Sequence, residues 1–208
     1  YKLGIDLPSE SRGFIPNSKF YSKVYGEGRW SANTVISVAI GQGEILATPL
    51  QIANLSATIA NRGYFYTPHV VKKIEGAQLP KEFTTKRIVD IDKKYYEDIV
   101  EGMRMAVTGG TCRNAQFGDI EVCGKTGTSQ NPHGRDHSAF MGFAPMNNPK
   151  IAICVFVENA GFGATFGVPI RGLMMEKYLT GKISPERQYL EDRMLESNTI
   201  IYSGVKKH

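Results

Sequence analysis

The spacing of apolar positions is helical in two stretches before residue 110 and extended over 120–158. Thr48-Pro49-Leu50-Gln51 reads as a capping box with proline at the first helical position, and Asn61-Arg62-Gly63 supplies a stop. A helix is therefore predicted over 48–60. Ile52, Leu55 and Ile59 give it an apolar side, and Ala53, Ala57 and Ala60 keep another side small, which predicts burial around most of its circumference. Tyr96, Ile99, Val100, Met103 and Val107 predict a second helix over 92–108, stopped by Gly109-Gly110. Between these helices, Val70, Val71 and Ile74 predict a short strand. Beyond residue 120 the pattern becomes extended, with strands predicted over 120–128, 137–144 and 150–158. Their connections, 130–134 and 145–149, are short enough to favour an antiparallel meander. Two helices within 168–196 close the chain, the second opened by Ser184-Pro185, whereas the Gly, Pro and Ser content of residues 1–35 reads as irregular structure. The sum is an α+β fold in one unit spanning 1–208: a three-strand antiparallel sheet at 120–158 flanked by helices.

Composition adds limits to this picture. With 208 residues and 41% hydrophobic content, the chain can bury one sizeable core. It opens on Tyr1 rather than Met, without leader or linker character, so it is expected to begin inside a larger protein. The longest apolar run, 151–157, is far shorter than the roughly 20 residues of a membrane helix. The net charge of +5 comes from scattered Lys and Arg with no basic block interleaved with aromatics, so no nucleic-acid partner is expected. Cys112, Cys123 and Cys154 contain no C-x-x-C pair and read as small buried apolar residues. His133 and His137 would share a metal only on a helix, and Pro132 and Gly134 make that segment a turn. No metal or other cofactor is expected.

Gly124-Lys125-Thr126 invites comparison with a phosphate loop, but the glycine needed five residues earlier is Asp119. Gly127-Thr128-Ser129-Gln130-Asn131-Pro132 also cannot open the helix such a loop feeds. Gly161-Phe162-Gly163 fails as a dinucleotide fingerprint because Phe166 stands at the third glycine. The remaining reading is a strand whose edge meets an extended peptide. Lys125 then supplies a cation for a peptide carboxylate or a neighbouring hydroxyl, and Thr126 and Thr128 supply hydroxyl donors. Gly127 admits a second backbone, and the Thr128 N–H can point at an oxyanion. Lys125 and Thr128 are thus the candidate catalytic residues, and Lys125, Thr126, Gly127 and Thr128 the candidate substrate contacts. The competing reading is an ordinary strand end in a structural module.

Cys123-Gly124-Lys125-Thr126-Gly127-Thr128, followed by His137-Ser138-Ala139-Phe140-Met141-Gly142-Phe143-Ala144-Pro145, resembles the third-motif strand and next strand of penicillin-binding proteins and serine β-lactamases. Gly4-Ile5-Asp6-Leu7-Pro8, Ile40-Gly41-Gln42-Gly43, Thr48-Pro49-Leu50-Gln51-Ile52-Ala53 and Ile59-Ala60-Asn61-Arg62-Gly63 extend the likeness. In that order they resemble the C-terminal half of class B transpeptidases, most like the elongation-type penicillin-binding protein 2 group.

The resemblance implies an incomplete β-lactamase/transpeptidase-like fold and a serine-type D,D-transpeptidase that cross-links peptidoglycan stem peptides and is acylated by β-lactams. It also implies an extracytoplasmic, periplasmic location, a parent anchored in the inner membrane, and partners in the cell-wall elongation machinery. In the family's terms, Lys125 contacts a second-motif serine, Thr126 and Thr128 bind the ligand carboxylate, and the Thr128 amide forms half of an oxyanion hole. The family order is Ser-x-x-Lys, Ser-x-Asn, then Lys-Thr-Gly. Ser203-Gly204-Val205-Lys206, Ser31-Ala32-Asn33 and Ser129-Gln130-Asn131 match the first two patterns formally but in the wrong places. The nucleophile is therefore expected from the missing N-terminal half of the same domain. A β-lactam-sensing receptor of the same fold is the alternative, and the long stretch before the motif disfavours it.

Overall fold

In the computed structural model, which describes residues 1–199, two helices occupy the stretch predicted to be irregular. Asn17 opens α1 (Ser18–Tyr25) by accepting the Phe20 N–H at 3.0 Å, and Gly26 ends it at φ 93°. Tyr21 is buried from this helix and packs against Trp30, with ring centroids 5.8 Å apart. Glycine, part of the segment's loop-like composition, thus joins Asn17 in delimiting an eight-residue helix. Ser31 precedes α2 (Ala32–Ala39), which buries none of its residues.

The predicted strand at Val70, Val71 and Ile74 does not form. The Asp6 carboxylate instead takes the Val70 N–H at 2.9 Å and the Val71 N–H at 3.0 Å. These bonds hold the Asp6 pKa below its ordinary 3.8. A side chain 64 residues away has replaced a strand partner, which local apolar spacing cannot signal. The capping box at Thr48 and Gln51 is present, with reciprocal bonds of 2.9 and 3.2 Å. It opens α3 (Pro49–Ala60), but Leu55 is exposed while Ser56, Thr58 and Ala60 are buried, so the expected near-complete burial is not observed. Apolar residues all round a helix do not select its packing face. Here Ala60 selects it by packing with Val100, Met103 and Phe143.

Downstream lie the two-residue strands β1 (Tyr64–Phe65) and β2 (Arg87–Ile88), with the single turn α4 (Lys81–Thr84) between them. The chain's contacts divide it into two compact units. The first unit comprises Tyr1–Gln51 and Tyr66–Arg87; the second comprises Ile52–Phe65 and the described residues from Ile88 onward.

The second unit carries the layered α+β architecture. Its helix α5 (Lys94–Thr108) starts two residues later than predicted because Asp92 Oδ1 accepts the Lys94 N–H at 3.1 Å. The strands β3 (Cys123–Ser129), β4 (His137–Ala144) and β5 (Ile151–Val157) form an antiparallel sheet in the order β3-β4-β5. Strand alternation sends Phe140 and Ala144 into a core with Val107, Cys112, Val122, and Val168 and Met175 of α6 (Gly167–Thr180). Cys123 and Phe143 enter a second core with Ala60, Val100 and Met103 on the opposite face. Helices therefore cover both faces. The last helix, α7 (Gln188–Glu196), follows a buried ion pair in which Arg187 Nε lies 2.9 Å from Glu176 Oε2. Breaking one partner of such a pair costs about 3–5 kcal/mol.

Candidate active site on the terminal strand

The candidate residues lie on β3, a terminal strand of the sheet. Upstream of it, Arg104 from α5 donates to the Val122 carbonyl at 3.1 Å and to Gln116 Oε1 at 2.8 Å. Gln116 in turn donates to the Gly118 and Ile120 carbonyls, both at 2.9 Å. These bonds engage the carbonyls of Gly118, Ile120 and Val122 just upstream of β3, which begins at Cys123 and not at residue 120 as predicted.

The strand then alternates. Gly124, Thr126 and Thr128 turn toward the α6 face, while Lys125 and Gly127 turn the other way and are exposed. The proposed cation and the two hydroxyls thus stand on opposite faces of the pleat, and only a ligand at the strand edge would lie beside both. Lys125 Nζ donates to the Thr126 carbonyl at 2.8 Å. Thr126 Oγ1 lies 2.8 Å from Thr111 Oγ1, and Thr128 Oγ1 accepts the Gly163 N–H at 3.4 Å.

Two glycines in this short strand have different physical causes. Gly124 stands opposite Gly142 in the register. The Phe140 ring fills the space both leave, so a Cβ on Gly124 would fall 2.1 Å from Phe140 Cζ. The Arg171 guanidinium stacks on that ring at 4.4 Å. Arg171 is fully buried, and this burial lowers its pKa to about 9, still charged at neutral pH. Gly127 is unlike Gly124: among the described residues, the only heavy atom a Cβ there would meet within 4 Å is Ala139 Cβ, at an ordinary 3.5 Å. The fold has room for a side chain at 127. Above it, the Gly163 backbone lies on the sheet, where a Cβ would be 2.4 Å from the Gly127 carbonyl oxygen.

Sequence reasoning missed Thr111, Phe140, Gly163 and Arg171. Gly109-Gly110 was legible as a helix stop, but nothing local shows which strand the next residue, Thr111, meets. The need for Gly124 becomes visible only once the register sets it against Gly142.

The formal serine motifs fall elsewhere. Ser31 stands before α2 in the first unit, and Ser129 ends β3. Asn131 is engaged in the β3–β4 turn, bonded to Asn159 Oδ1 at 2.9 Å. Ser203 and Lys206 lie outside the described residues. His137 accepts the Asn159 N–H at 3.0 Å, and Asp136 accepts that of Asn131 at 3.2 Å, so both belong to the same turn. Cys112 and Cys123 are buried in the two cores, and Cys154 is half-buried.

Comparison with known proteins supplies the family. Residues 1–178 match the penicillin binding protein transpeptidase domain. The peptidoglycan D,D-transpeptidase MrdA of Acinetobacter baumannii is 35% identical over 207 residues, covering 89% of this chain and 30% of that protein. The crystal structure of Pseudomonas aeruginosa PBP2 in complex with WCK 5153 is 32% identical, with a TM-score of 0.73 over 87% of this chain and 40% of that one. PBP2 of Helicobacter pylori, in complex with MreC, is 29% identical with a TM-score of 0.72, covering 87% of this chain and 33% of that one. The chain spans about a third of the length of the curated relatives it matches. With the matched segment covering most of its residues, the chain belongs to the penicillin-binding protein transpeptidase family, among its elongation-type PBP2/MrdA members.

Proposed function

We propose that the protein carrying this chain is a serine-type D,D-transpeptidase that cross-links peptidoglycan stem peptides, and that β3 is the wall along which the peptide or a β-lactam lies. The observation that carries this reading is Gly127. It sits beside an exposed lysine on a terminal strand, and packing does not require its missing side chain. A glycine the fold can do without leaves room for a second backbone to approach.

In the reaction, a serine hydroxyl supplied from outside these residues attacks the carbonyl of the terminal D-alanyl-D-alanine bond. Its proton passes to a base, D-alanine leaves, and an acyl-serine ester remains. An amine of a second stem peptide then displaces the serine and forms the new amide. Lys125 supplies a fixed positive charge beside the reacting groups and the ligand carboxylate. Thr126 and Thr128 donate hydrogen bonds to that carboxylate, and the Thr128 N–H faces the oxyanion of the tetrahedral intermediate. A β-lactam enters the same sequence but keeps its leaving group tethered by the opened ring.

The location is extracytoplasmic, where the substrate is, with an anchor in the inner membrane from another part of the protein. Among the described residues no helix is long and apolar enough to cross a membrane. The MreC complex of the H. pylori relative supports an elongation-complex partner of that kind. Fluorescent-penicillin labelling of the full protein tests the reading. Lys125→Ala is expected to slow labelling on the order of 10²-fold. An unchanged rate would remove Lys125 from the site, and covalent labelling of residues 1–208 alone would place a nucleophile within them.

A further inference from the structure

Thr111 is held in place by the way α5 ends. The Cys112 N–H donates to the Ala106 carbonyl at 2.9 Å, and a Cβ on Gly110 would fall 2.8 Å from Ala106 Cα. The tight turn therefore needs the glycine, and it delivers the next residue to β3. There the Thr111 and Thr126 hydroxyl oxygens are 2.8 Å apart, the ordinary length of an O–H···O bond. One hydroxyl donates and the other accepts. A carboxylate at the edge of β3 would decide which. A hydrogen bond to an ionised acceptor is about twice as strong as a neutral one, so Thr126 gains most by donating to the anion. The Thr126 oxygen is then left to accept from Thr111, and a donor polarised in this way is strengthened.

We infer that Thr111 is a positioning residue: it donates to the Thr126 hydroxyl and so aims the Thr126 proton at the carboxylate of a peptide or β-lactam bound along β3. The inference rests on the transpeptidase reading above. Thr111 is itself exposed, so a threonine is not demanded there by packing. Valine has nearly the same shape and lacks the hydroxyl.

The test uses the full protein with Thr111→Val and Thr111→Ser. A carboxylate-bearing penicillin and its methyl ester are the probes, and binding before acylation is measured separately from the acylation rate. Thr111→Val is expected to weaken binding of the carboxylate probe roughly three- to tenfold, the size of one lost hydrogen bond. The limiting acylation rate and the ester's binding should stay within about twofold of wild type, and Thr111→Ser should restore binding. Unchanged carboxylate binding in Thr111→Val would overturn the inference. So would an equal loss on both probes, which would make the contact a tie between loop and strand. Lys125→Ala run in parallel separates the two claims. If it labels normally, Lys125 leaves the site and β3 is not the ligand wall; if it loses labelling while Thr111→Val binds as wild type, only the role of Thr111 fails.

Discussion

The two halves of β3 are built by opposite requirements, although they are adjacent in sequence. Cys123 and Gly124 belong to the interior: the thiol is buried beside Phe143, and the glycine yields its space to the Phe140 ring under Arg171. Lys125 and Gly127 face outward, and among the described residues nothing occupies the place of a side chain at 127. The closed half sets the height and tilt of the open half, because a ring wedged between two glycines leaves β3 and β4 one way to pair. A short motif can thus contain one glycine that packing demands and another that it does not, and composition cannot tell them apart.

The largest expected effect comes from breaking the closed half. Gly124→Ala places a methyl group 2.1 Å from Phe140 Cζ, a clash within a packed core. Overpacking of this kind costs about 3 kcal/mol. The melting temperature of the full protein should fall by roughly 10 °C. Shortening the ring with Phe140→Leu in the same protein should recover part of the loss, and a Gly124→Ala protein that melts like wild type would refute the wedge.

The next effect separates stability from function. Gly127→Ala meets only Ala139 Cβ at van der Waals distance, so its melting temperature should stay within about 2 °C of wild type. Its β-lactam labelling should nonetheless fall about ten- to a hundredfold, since displacing a ligand backbone by about 1 Å is costly to acyl transfer. Equal labelling would mean that no second backbone approaches this edge.

This contrast also marks what sequence reasoning could reach. The α+β architecture, the three strands, the capping box and the lysine strand were legible because each rests on local spacing or on a motif contiguous in the chain. The absent strand at Val70 was not, because the Asp6 carboxylate that replaces it comes from the far end of the unit. Nor were α1 and α2, whose delimiting Asn, Gly and Ser also spell loop. At the site itself, Lys125 to Thr128 could be found as a motif. Thr111, Phe140 and Arg171 act on that motif only through tertiary contacts, so local spacing carries no sign of them.

The smallest expected effect probes the closed half by its chemistry. Burial raises the Cys123 pKa from its ordinary 9.0 to about 12, so the folded protein keeps the thiol neutral where the unfolded chain would ionise it. The sign follows from linkage. Below the unfolded value the two states bind the same proton and stability is unaffected. Above it the unfolded state gains by ionising, so stability declines between about pH 9 and 12. Denaturant titrations of wild type and Cys123→Ala at pH 8 and pH 10 isolate this term, because every other titrating group is common to both. The wild type should lose an extra factor of roughly ten in its folding equilibrium constant across that interval. Iodoacetamide at pH 8 gives the matching kinetic view. Mapped by peptide mass, a Gly127→Cys protein should be alkylated at 127 and protected at 123. Equal alkylation at both positions would show that β3 opens along its whole length, leaving no closed half to set the position of the open one.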